Sequence, residues 1–120
     1  MTDTQPFADP AAIHSWHAHV YFDAATRPVA ASVRDGIAAS FPAAVLGRWH
    51  EVPIGPHTRA MYQVAFAVSL LPTLVPWLML NRGGLAVLVH PETGHELADH
   101  TDHAAWLGEI LPLKTDALTS

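Results

Sequence analysis

The hydrophobic period changes several times along this chain, and each change marks an element. Over residues 16–22 it alternates: Trp16, Ala18, Val20 and Phe22 point one way, His17, His19 and Tyr21 the other. Period two predicts a strand with one apolar face. Over residues 26–41 the spacing lengthens to four through Val29, Val33, Ile37 and Phe41, which predicts a helix. Thr26 is placed to cap it, and Pro28 is tolerated in the first turn. Residues 45–52 read as a second strand, and 53–59 as a loop punctuated by Pro53, Gly55 and Pro56.

Residues 62–68 are apolar on both faces, which predicts a central third strand. A helix follows over 69–80, with Ser69 as its cap, Pro72 in its first turn, and Pro76 bending it or marking its true start. Asn81-Arg82-Gly83-Gly84 ends it, with Gly83 or Gly84 left-handed. Residues 85–89 form a short fourth strand. A last helix is expected over 103–111, capped by Thr101 or Asp102 and stopped by Pro112.

The order β-α-β-β-α-β-α predicts an α+β fold. It is a ferredoxin-like βαββαβ sandwich with an extra C-terminal helix, on an antiparallel four-stranded sheet in spatial order 4-1-3-2. Two helices cover one sheet face. The other needs covering, often by a second subunit, so a homodimer is expected. Residues 1–12 read as a flexible leader, 13–113 as one domain and 114–120 as a C-terminal tail.

Composition narrows the function. Half of the 120 residues are apolar and 14% are charged, which suits a folded domain rather than a disordered chain. A net charge of −5, with six Lys and Arg and no basic run, argues against nucleic acid as a partner. The most apolar stretch, 64–80, is broken by Ser69, Pro72, Thr73 and Pro76 and is shorter than the ~20 residues of a spanning helix. The N-terminus lacks the basic start and apolar run of a signal peptide. A cytoplasmic protein without a membrane partner is the expectation. The absence of cysteine excludes a disulfide scaffold and a thiolate site.

Nine histidines exceed what packing needs, and neutral imidazole is the commonest metal ligand among side chains. His17 and His19 share a strand face about 6.6–6.8 Å apart, so two rings can converge on one ion. Equally, they could be polar residues on a solvated face or an interface. If the fourth strand pairs antiparallel with the first and His90 lies opposite His17, His90 joins that face. Leu85, Val87 and Val89 then enter the helix-covered core, whereas a one-residue slip would reverse everything. His57 stands in a loop stiffened by Gly55 and Pro56 that could fold toward His19. His100 and His103 flank a helix start beside Asp99 and Asp102, where a carboxylate can orient a metal-binding ring; for Asp102, His103 and His95 ordinary capping is the simpler account. His14 and His50 read as incidental. Trp16, Trp49, Trp77 and Trp106 read as core. Arg48, Arg59 and Arg82 are candidates for an anionic substrate group.

Together, Trp16-His-Ala-His-Val-Tyr-Phe22, Gly55-Pro-His57, Val75-Pro-Trp-Leu78, Leu80-Asn-Arg-Gly-Gly-Leu85, Val87-Leu-Val-His-Pro91, Thr93-Gly94, Asp99-His100 and Trp106-Leu-Gly108 resemble the DOPA 4,5-dioxygenase family of fungal type and its bacterial relatives. The likeness runs in order from about Ile13 to Leu113. It implies a ferredoxin-like α+β fold, commonly dimeric, and extradiol cleavage of a catechol ring with O2 and non-haem Fe(II). The family's histidine motifs fall on His17, His19, His57, His90 and His100. Many non-haem Fe(II) oxygenases use two histidines and a carboxylate. Here either Glu51, Glu92 or Asp99 reaches in, or the site is all-histidine.

On that likeness His19, His57 and His90 hold Fe(II) or another divalent metal, with His100 as a further ligand or a partner to one. His17 acts as acid or base, since an unperturbed pKa of about 6.5 suits neutral pH. Tyr21 hydrogen-bonds the substrate, and Arg82 or Arg48 binds its anionic group. The rival is a non-enzymatic or differently acting ferredoxin-like dimer, whose histidine-rich face binds a small ligand or a non-redox metal such as zinc or nickel.

Overall fold

In a computed structural model the chain is described from residue 6 to residue 119; the part of the leader at residues 1–5 lies outside these. The elements are β1 (Ser15–Phe22), α1 (Arg27–Ser40), β2 (Val45–Leu46), β3 (Ala60–Phe66), α2 (Leu71–Asn81), β4 (Val87–Glu92), α3 (Glu96–His100) and β5 (Ala105–Leu107). They build an α+β fold on one antiparallel sheet, ordered β2-β3-β1-β4-β5. The first four strands have the ferredoxin-like arrangement with β1 in the middle. The sheet has five strands, not four.

Alternation along β1 divides the interior in two. Ala18, Val20 and Phe22 join Tyr62, Val64, Phe66, Val87 and Val89 beneath Ala30, Val33 and Ile37 of α1 and Leu74 and Leu78 of α2. Gly36 lets the helices meet: a Cβ there would lie 2.8 Å from the Trp77 ring. On the opposite face Tyr21, Met61, Ala86, Leu88 and Leu111 form a smaller cluster with Ala104, Trp106 and Leu113.

The expected C-terminal helix over 103–111 is overturned. The helix lies earlier, at α3, and Ala105–Leu107 pairs with β4 as an edge strand, Trp106 opposite Leu88. Trp106 packs with Tyr21 on one face and Leu107 against the main core on the other. That is period two, and a free β4 edge satisfies the backbone of 105–107 as well as a helix would. Gly108, with φ of +76°, then turns the chain away. The segment beyond it covers the second face with residues of the same chain.

The second strand is shorter than expected, for a related reason. Gly47 N donates to Gln63 O at 2.7 Å, and His50 pairs with Met61. Arg48 and Trp49 thus together face Tyr62, a one-residue bulge. It turns the Trp49 ring onto Phe22 and Tyr62 at centroid distances of 4.2 and 5.6 Å. The two expected caps are also absent. Thr26 closes a turn with Asp23 instead of capping α1, and Ser69 sits inside the 3-10 turn Val68–Leu70 ahead of α2. No helix among the described residues is long and apolar enough to cross a membrane.

Candidate metal centre

β1 and β4 pair in the register that the alternation of Leu85, Val87 and Val89 demands: His17 faces His90 and His19 faces Leu88. This puts His17, His19 and His90 on the sheet face away from the two long helices. Each offers one ring nitrogen, and the three nitrogens lie within 4.8 Å of one another. The Nε2 atoms of His19 and His90 are 3.1 Å apart, with the rings stacked at 5.2 Å.

Two more imidazoles close in from loops. His57 stands 4.2 Å from His19 between ring centroids, and His100 stands 3.9 Å from His90. His57 is brought there by the turn at Gly55, whose φ is +60°, and is held by the C-terminal segment. It bridges to Leu113, Lys114 N donates to Pro56 O at 2.8 Å, and the Thr58 hydroxyl donates to Pro112 O. His100 ends the short α3, which the left-handed Gly94 introduces. A 270 Å³ cavity opens on these rings, lined by His17, His19, His57, His100, Gln63, Glu92 and Glu96 among others.

The outer partners are ordered. His17 Nδ1 meets Glu92 Oε1 at 3.0 Å, His90 Nδ1 meets Pro91 O at 3.0 Å, and His100 Nδ1 meets Glu96 O at 2.7 Å. A carbonyl or carboxylate oxygen only accepts, so each of these rings carries its proton on Nδ1 and presents a lone pair from Nε2. That is the usual preparation of a metal-binding histidine. His19 Nδ1 is buried without a partner, an arrangement that costs free energy unless something binds that ring.

Charge on this cluster is suppressed. Burial lowers His57 and His90 to about 4, with His100 adding repulsion in both cases. His19 is pushed well below its ordinary value, first by burial and then by His57, His90, His100 and His17. His17 is lowered by burial, against the opposing pull of Glu92. His17, His19, His57 and His90 are therefore neutral at pH 7, the form in which imidazole binds a metal. An all-imidazole donor set with lone pairs turned inward and one orphaned nitrogen fits a divalent transition metal.

The remaining candidates are placed as follows. Tyr21 is buried and its hydroxyl lies 2.7 Å from His57 Nδ1, with burial raising its pKa. Glu92 reaches the cluster through His17. Asp99 is instead engaged with Thr93 and His103, and Glu51 with Arg27 and Trp49. Arg82 is folded onto its own turn, donating to Leu85 O and Met79 O; Arg48 is exposed in the bulge; Arg59 pairs with Glu109. None of the three arginines lines the histidine cavity. Gln63, Glu96 and Leu118 do line it, and sequence reasoning missed them. Gln63 could have been noticed as the one polar side chain in Ala60–Phe66, and Glu96 by its i, i+4 spacing to His100.

Comparison with known proteins is consistent with this geometry. Residues 16–117 match the model of the Dopa 4,5-dioxygenase family. A DOPA 4,5-dioxygenase of Amanita muscaria is 36% identical over 93% of this chain and 52% of its own length. A 21.2 kDa protein of Botryotinia fuckeliana, described as uncharacterised, is 44% identical over 64% of this chain and 46% of its own length. The chain therefore spans about half the length of these curated relatives. A crystal structure from Nostoc punctiforme PCC 73102, of a protein assigned as a dioxygenase, superposes with a TM-score of 0.91 at 53% identity, covering 92% of this chain and 96% of that one.

Proposed function

The chain belongs to the Dopa 4,5-dioxygenase family, and from that premise we propose that it is an extradiol-type dioxygenase that opens the ring of a catechol with O2 at a histidine-held iron(II). The observation that carries this reading is the convergence of His17, His19 and His90 to within 4.8 Å beside a cavity. These three would hold the metal, with His100 next to them. Glu92 would not be a ligand. It would orient His17 through its Nδ1 proton, as second-layer carboxylates do for metal-binding histidines.

Bound iron(II) would supply a Lewis acid for the two phenolic oxygens and the one-electron chemistry that lets O2 react with a closed-shell ring. The residues provide the rest. Buried rings keep the donor set neutral and ready. Buried Tyr21, stacked on Trp106, backs the ring of His57. A cavity of about 150 Å³ can hold benzene, so 270 Å³ suits one substituted ring. The reaction balances without a further reductant. The bond between a hydroxyl-bearing carbon and its neighbour breaks, and both atoms of O2 end in the ring-opened acid.

The test is anaerobic loading of untagged protein with iron(II), followed by O2 uptake measured with a panel of catechols that includes DOPA. One O2 should be consumed per catechol, with a yellow product, and His90→Ala should abolish both iron binding and uptake. Stoichiometric zinc with no oxygen uptake from any iron-loaded sample would instead establish the non-redox alternative.

A further inference from the structure

Four of the five clustered rings direct Nδ1 toward an oxygen, but the oxygens differ in kind. Glu92 Oε1, Pro91 O and Glu96 O can only accept, which fixes the proton of His17, His90 and His100 on Nδ1. His57 is the exception, because its Nδ1 faces the Tyr21 hydroxyl at 2.7 Å, a group that can donate. Tyr21 is buried, and His57 is the partner of its hydroxyl among the described residues. Were His57 Nδ1 the donor, the phenolic proton would be buried with nothing to accept it. The hydrogen-bond economy therefore runs from Tyr21 to His57. It leaves the His57 proton on Nε2, the ring nitrogen turned away from Tyr21 in a side chain that lines the cavity.

We propose that Tyr21 is a positioning residue that locks His57 in its Nε2–H tautomer, so that His57 serves the site as a hydrogen-bond donor to an anionic substrate oxygen and not as a metal ligand. An Nε2 that carries a proton has no lone pair for a metal. It can give a charge-assisted hydrogen bond to an aromatic diolate oxygen. The same face thus holds two kinds of imidazole, sorted by what stands behind each ring. The substrate half of this inference rests on the function proposed above; the tautomer half does not.

Long-range 1H–15N correlation spectra of 15N-labelled, untagged, metal-free protein at pH 7.5 read the tautomer of each ring directly and need no variant. His57 should show the Nε2–H pattern, and His17, His90 and His100 the Nδ1–H pattern. In Tyr21→Phe the His57 ring should populate both tautomers. An Nδ1–H pattern for His57 in the unaltered protein, or an unchanged pattern in Tyr21→Phe, overturns the proposal. With iron, His57→Gln should keep metal stoichiometry while the KM for catechol rises about ten-fold or more, the loss expected for one charge-assisted hydrogen bond. Loss of the metal in that variant overturns it too. Should the tautomers come out as stated while no catechol reacts, the tautomer half stands and the proposed activity falls.

Discussion

Alternate residues of β1 serve opposite faces of one sheet, and the faces are built on different terms. Ala18, Val20 and Phe22 enter a dry core under two helices, where burial of apolar surface is the whole contribution. His17, His19 and Tyr21, one residue out of phase, enter a region where His19 and Tyr21 are buried and His17 partly so, beside a cavity and full of nitrogen. There burial is a liability: the rings lose hydration, repel protonation, and leave one nitrogen orphaned. A sheet can thus carry stability on one face and a costly prepared site on the other, because period two keeps the residues of each apart.

The first expected effect separates the two faces from the core side. Leu78 is fully buried between α2 and the sheet. Leu78→Ala should cost about 2–5 kcal/mol of stability, the range for a buried leucine that leaves a cavity. Metal stoichiometry per folded molecule should stay the same, since the clustered histidines lie on the opposite face of the sheet from that core. Urea unfolding combined with metal analysis of the folded fraction checks this. Loss of metal at full folding would mean that the faces are coupled through the sheet.

The converse change should have the opposite sign. His19→Leu replaces a buried ring with an unpaired Nδ1 by an apolar side chain on a face that already contains Leu88 and Met61. The metal-free protein should gain about 1–3 kcal/mol, the cost of leaving such a group unsatisfied, while metal binding fails. A destabilised His19→Leu would show that the ring is well satisfied without a metal.

Acid gives a third handle, and only one face should respond. Unfolded histidines titrate near 6.5, whereas burial holds His57 and His90 near 4 in the folded protein. Between these values the unfolded chain takes up protons that the folded chain refuses. Stability is therefore complete above about pH 6.5 and lost as the pH falls toward 4, by up to about 1.4 kcal/mol per pH unit for each proton. Denaturant midpoints of metal-free protein at pH 7.5, 6.5, 5.5 and 4.5 should trace that decline. Replacing His57 and His90 together by glutamine should lessen the slope, with His19 and His17, whose pKa values burial also lowers, supplying what is left, and a flat profile in the unaltered protein would contradict neutral burial of the cluster.

How much of this could be read from residues alone follows the same division. The His17–His90 register was legible because any slip would have turned Leu85, Val87 and Val89 out of the core. The approach of His57 to His19 was legible from the stiff Gly55-Pro56 loop. The segment that pins His57, around Leu113 and Lys114, was not: it is extended, unpaired over most of its length and has no period to detect. The C-terminal helix failed differently. Residues 103–111 have no strong period, and the free edge of β4 decided between helix and strand, a tertiary contact that local spacing does not encode. With five residues, α3 is too short to announce itself, so the position of His100 came from the likeness to a family and not from periodicity.

The arginines give the smallest expected effect and the sharpest limit on where substrate contacts lie. Arg82 spends its guanidinium on Leu85 O and Met79 O, and Gly108 packs so closely that a Cβ there would lie 3.4 Å from its Nε. Its role is to close the turn after α2, so Arg82→Ala should cost about 1 kcal/mol of stability and leave KM alone. Arg48 is exposed at the bulge in the second strand, and Arg48→Ala should change stability by less than about 0.5 kcal/mol. KM values for a plain catechol and for one bearing a carboxylate decide the matter together. If the histidine face alone selects the substrate, neither variant changes the ratio of the two. A ten-fold rise confined to the carboxylate-bearing catechol in Arg48→Ala would mean that the substrate reaches beyond the 270 Å³ cavity to the sheet edge.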